Sequence, residues 1–170
     1  MRRRTLLQLG LASSVVLIGS GIGIGLGGLK AGWTQGHFSP ESHRVMRSVA
    51  RGVLEGCLPS LPAQAELALD AHMARLEAAV AAFPERTQTE LSRLLSLLAS
   101  PWGRRGLAGL EPPWADATNA QVQAALQAMR ASSWDLRQQA YHALRDLTNA
   151  AYFADATAWP ALGYPGPRPL

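Results

Sequence analysis

The constraint that most limits this chain's fold is how prolines divide its apolar residues into runs with three- and four-residue steps. Leu69, Met73, Leu76, Val80 and Phe83 alternate steps of four and three, the seam of a helix packed along a neighbour, and Pro84 ends the run. Ser39-Pro40 opens an earlier run. Its serine oxygen can cap free N–H groups and its proline suits the first helical position, and Val45, Met46, Val49, Val53 and Leu54 then share one face until Leu58-Pro59. Leu91, Leu94, Leu95 and Leu98 mark a third helix, about 85–99, that stops at Ser100-Pro101.

Beyond Pro101 the reading changes. Residues 101–116 hold too many glycines and prolines for a regular helix, yet carry Trp102, Leu107, Leu110 and Trp114, which predicts an ordered loop lying on the other helices. Thr118-Asn119-Ala120-Gln121 has capping-box form ahead of Val122, Ala125, Leu126 and Met129. Ser133 is expected to cap a last helix from Trp134 to about Phe153, with Leu136, Ala140, Leu144, Leu147 and Ala151 inward and Trp134 in the core. There is no alternating strand pattern of useful length and no repeat. The expected fold is an all-α bundle of about five helices with a Trp- and Pro-containing loop and an extended, Pro-rich C-terminal tail.

The N-terminus is of a different kind. Arg2, Arg3, Arg4 and Lys30 account for the whole net charge of +4, and an uncharged stretch lies between them. Arg3-Arg4, a spacer, two leucines and Gln8 resemble a twin-arginine export signal, the route used by proteins that fold before they cross the membrane. Leu6 to Leu29 could also span roughly 30 Å of hydrocarbon as a retained helix, although its glycines suit a weakly apolar signal better. Residues 1–31 are therefore expected to be an export signal or membrane anchor. Residues 32–37 are expected to be a tether, 38–155 the bundle and 156–170 the tail.

Several chemistries are excluded or disfavoured. The remaining charges balance, so no basic stripe exists for nucleic acid. Cys57 is the single cysteine, which rules out an internal disulfide or a haem-attachment pair and is expected to be a buried, inert thiol. His37, His43, His72 and His142 form no dense ligand motif, and the glycines of the leader lack the strand and helix of a dinucleotide site. His142 and Asp146, four apart on one helix, are expected to be an ordinary structural contact. No catalytic, cofactor or metal residue is assigned. Three prolines after Ala161 stiffen the tail, leaving Trp159 and Tyr164 as anchors for a partner.

Tyr152-Phe153, then Trp159, then Gly163-Tyr164-Pro165-Gly166-Pro167 resemble the C-terminal signature of the small, gamma-type subunits of gluconate 2-dehydrogenase-like flavoprotein complexes. The twin-arginine leader and helical middle agree with that resemblance in general character. It implies a non-catalytic, membrane-associated periplasmic subunit that assembles with, co-exports and stabilises a large dehydrogenase of the glucose-methanol-choline oxidoreductase type. The FAD would reside in that partner, with a cytochrome c subunit in many such complexes, and the translocase would be met during export. The alternative is a free-standing periplasmic helical ligand-binding or assembly protein with its pocket between bundle and Pro-rich loop. Catalysis through His142 and Asp146 ranks last.

Overall fold

The computed structural model describes residues 29–159, 163 and 164; the paired Arg3 and Arg4, and Pro165, Gly166 and Pro167, lie outside the described residues. The fold is all-α, as the periodicity predicts. Among the described residues five long helices and one short one form the bundle: α1 Pro40–Val53, α2 Pro62–Ala81, α3 Glu85–Ala99, α4 Pro101–Gly103, α5 Asn119–Arg130 and α6 Asp135–Phe153. The central helix is α1, touching α2, α3, α5 and α6. Its Val45, Met46, Val49 and Ala50 are wholly buried, and Ser39 caps it by accepting from the Ser42 N–H at 3.2 Å. The leucines foreseen for α3 and the Leu69–Val80 seam of α2 are buried as well. Most of these side chains join one large core, with a smaller cluster around Ala50, Leu54 and Leu69 beside it.

The segment expected to be a tether is ordered. Two short strands, β1 Trp33–Thr34 and β2 His37–Phe38, form an antiparallel hairpin in which Trp33 faces Phe38. Both turn residues, Gln35 at φ 51° and Gly36 at φ 86°, adopt the left-handed backbone that matches the twist of a two-residue hairpin. The hairpin is clamped to α3: the Trp33 N–H donates to Ser92 Oγ at 3.0 Å and its indole to Gln88 Oε1 at 2.9 Å. Two-residue strands leave no alternation to read, so the pattern could not announce them.

Residues 101–108, expected to be loop, are helical. Ser100 Oγ accepts from the Gly103 N–H at 3.1 Å, Pro101 takes the first position, and α4 runs into a π-helical turn, Arg104–Ala108, closed by Gly109 at φ 72°. The buried Arg104 donates from Nε to the Leu110 carbonyl and from Nη2 to the Glu111 carbonyl, supplying partners to the irregular backbone that follows. Trp114 is buried there, its indole donating to the Leu98 carbonyl at 2.8 Å. Trp102 is 86% exposed. Trp134 is also a correction, at 55% exposed rather than in the core. The Ser133 cap does not form either: Ser132 Oγ accepts from the Trp134 N–H, and the Ser132 carbonyl accepts from Gln138 Nε2. The capping box at Thr118 and Gln121 is present.

Of the tail, the structure describes residues 156–159, 163 and 164. Ala156–Ala158 is a 3-10 turn whose Asp155 side chain accepts from the Thr157 N–H, and Ala158 is buried against the bundle.

Candidate functional site

The most unusual surface belongs to α2. Beside its buried seam it carries a second apolar line, Ala63, Leu67, Ala71, Ala74, Ala78 and the following Ala82, every one exposed and again at steps of four and three. Leu67 is 69% exposed. A helix that is apolar on all sides is ordinarily surrounded by protein. The sequence reading found only the inner seam, although the alanine spacing carried the outer signal.

The two flanks of that line differ. On one side the acids are tied inward: Arg47 of α1 pairs with Glu66 and Asp70, both at 2.6 Å, and Glu77 accepts from the Phe38 N–H and meets His37 Nδ1, both at 3.0 Å. On the other side lies an open groove of about 520 Å³ between α2 and α6. Ala78, Ala82 and Phe83 form one wall, Leu147, Ala150 and Phe153 the other, and Arg75 stands at one end. The result is a continuous apolar face with charge only at its margin.

The residues of the C-terminal signature end this face. Tyr152 is buried and donates its hydroxyl to the Cys57 carbonyl at 2.7 Å, while Phe153 packs edge-on against it and lines the groove. Trp159 is half-buried. Its indole donates to the Phe153 carbonyl at 2.9 Å, and Tyr164, 48% exposed, lies edge-on to it at 5.4 Å, following Gly163 in a left-handed backbone at φ 68°. Asp155 accepts from Arg75 at 3.0 Å, fastening the turn to α2. The Asp155 carboxyl is held below its ordinary range by the Thr157 backbone and side chain, with Arg75 adding to them. Tyr152, Phe153 and Trp159 are thus joined largely to their own bundle, and Tyr164 is the most open of the signature's aromatics.

Beneath this turn lies a residue to which the sequence gave no role. His72 is fully buried, its ring edge-on to Tyr152 at 5.9 Å, and neither ring nitrogen has a partner among the described residues. Burial, reinforced by the Arg75 charge, lowers its pKa to about 4. Only its position beside Met73, at the edge of the inner seam, hinted at this.

The remaining expected residues are less informative. His142 is exposed and lies edge-on to Tyr141, while Asp146 takes its hydrogen bond from Arg145. Cys57 is half-buried just past α1 rather than sealed in the core. The Pro-rich loop buries Leu110, Trp114 and Ala117 in the core. A second groove, about 600 Å³ and lined by Gln35, Gln88, Thr89, Ser92 and Arg93 among others, opens instead between the hairpin and α3. Among the described residues no helix is long and apolar enough to cross a membrane, and no group of three or more His, Cys, Asp or Glu could hold a metal.

No protein-family model, curated protein or solved structure matches this chain.

Proposed function

We propose that this chain is a non-catalytic accessory subunit that assembles with, co-exports and stabilises a periplasmic FAD-dependent dehydrogenase acting on an alcohol or sugar. The observation that carries the reading is the outer face of α2. A line of exposed apolar side chains the length of a 20-residue helix, continued by an apolar groove, is the surface of a subunit rather than of a solitary domain. Its end is Phe153, within the segment that resembles the gamma-type signature. The paired Arg3-Arg4 fits the same role, because folded export suits a chain that leaves with a loaded partner.

Ala74→Glu and Ala78→Glu test this. Both side chains are exposed, so the lone chain should keep its helical signal and melting point. Against a flavoprotein seated on α2, each carboxylate would be buried unpaired, at a cost of at least about 2 kcal/mol or roughly thirtyfold in affinity. Loss of the yellow partner from pull-downs supports the reading. Retention of the partner by both variants removes α2 as the docking face. The rival, a free-standing ligand-binding protein, is favoured by the polar groove beside the hairpin and would leave the chain alone on gel filtration.

A further inference from the structure

We propose that the C-terminal strap, the last turn of α6 with the turn after it (residues 152–159), is an acid-released latch over the buried His72. The inference does not depend on the identity of any partner. Three contacts hold the strap. Asp155 binds Arg75, the Tyr152 hydroxyl binds the Cys57 carbonyl, and Ala158 inserts into a small second core with Leu54, Leu69 and Tyr152. These contacts reach α2 and the end of α1, so the strap can open while α3 and α5 stay packed.

His72 supplies the acid sensitivity. The groups acting on it are Arg75 on its own helix and Tyr152 on α6, and Tyr152 is in turn coupled to Asp155 on the turn and to Cys57 on the connection after α1. The full charge acting on the ring is the Arg75 cation. A proton arriving on the closed imidazole therefore meets a like charge in a buried site and, among the described residues, no acceptor. In the opened form the ring meets water and regains its ordinary affinity for protons, so acid favours the open form. Taking about 4 for the closed ring and 6.5 for the open one, lowering the pH from about 7.5 to about 5 multiplies the opening constant roughly 30-fold. Asp155 acts in the same sense at lower pH, since protonating it weakens the grip on Arg75. Because Phe153 lines the α2–α6 groove, opening the strap also removes part of that groove's wall.

Hydrogen exchange on the full chain, corrected for intrinsic rates, tests the latch. Amides of residues 152–159 should lose protection roughly 30-fold between about pH 7.5 and about pH 5, while those of α3 remain protected. His72→Gln, which keeps a polar side chain but does not titrate, should flatten that response to below about threefold. Asp155→Asn should open the strap at both pH values. Equal protection of the strap at the two pH values, or parallel loss in α3, would overturn the proposal. So would an acid response surviving in His72→Gln. Should that variant not fold, the imidazole's own titration in the unmodified chain decides: a midpoint near 4 supports the latch and one near 6.5 refutes it.

Discussion

Two glycines three residues apart should respond oppositely to the same substitution. Gly103 ends α4, and a Cβ built there would stand 2.0 Å from the Leu97 carbonyl oxygen and 2.6 Å from its carbon. These are backbone atoms at the end of α3, where Ser100 also turns back on the Leu97 carbonyl, so neither side can give way cheaply. Overpacking of this kind costs about 3 kcal/mol, which for a domain of this size lowers the melting point by roughly 10 °C. Gly106 sits in the adjoining π-helical turn with no atom within 4 Å of a built Cβ. There alanine only removes freedom from the unfolded chain, for a gain of about 0.5 to 1 kcal/mol, or roughly 2 to 4 °C. Thermal melts followed by far-UV circular dichroism compare the two variants with the parent. A Gly103→Ala melt within about 2 °C of the parent, or an equal fall in Gly106→Ala, would refute the packing argument at this junction.

Trp114→Phe should cost about 2 to 3 kcal/mol in chemical denaturation, because it empties part of a buried site and leaves the Leu98 carbonyl without its donor. Trp159→Ala should raise exchange in residues 155–159 at neutral pH and shift the melting point by less than about 2 °C, since it loosens the turn within the strap and not the core. Overall stability should also fall in acid. His72 has a lower pKa folded than unfolded, so the native state binds fewer protons; stability is unaffected above about 6.5 and drops progressively towards about 4, by up to roughly 3 kcal/mol. Denaturant titrations at several pH values read this directly, and His72→Gln should remove most of the slope.

The sequence disclosed the bundle well because long helices leave a readable period. Leu69 to Val80 and Leu91 to Leu98 repeat at three and four residues, and Ser39-Pro40 and Thr118 to Gln121 state their helix starts locally. What escaped was structure without a period. Trp33 and Phe38 need only two residues each to pair, and the turn at Gln35-Gly36 was the one available sign. Gly103 and Gly106 counted equally as helix breakers, whereas one is required by close approach to Leu97 and the other is merely tolerated. The outer alanines of α2 were visible but hidden by the good inner seam, because in sequence alanine first signals helix propensity. His72 left only the hint of its place beside Met73, since its contact with Tyr152 comes from eighty positions away. The sequence likewise gives no hint that the Trp159 indole meets the Phe153 carbonyl.

The central claim is that this chain carries a folded flavoprotein partner out of the cytoplasm. Replacing Arg3 and Arg4 with lysine and measuring flavin-linked dehydrogenase activity in separated cytoplasmic and periplasmic fractions tests it most directly. The account expects both this chain and its partner to be stranded in the cytoplasm, the partner with its FAD still bound. A partner that reaches the periplasm in normal yield while the variant chain stays behind would contradict it.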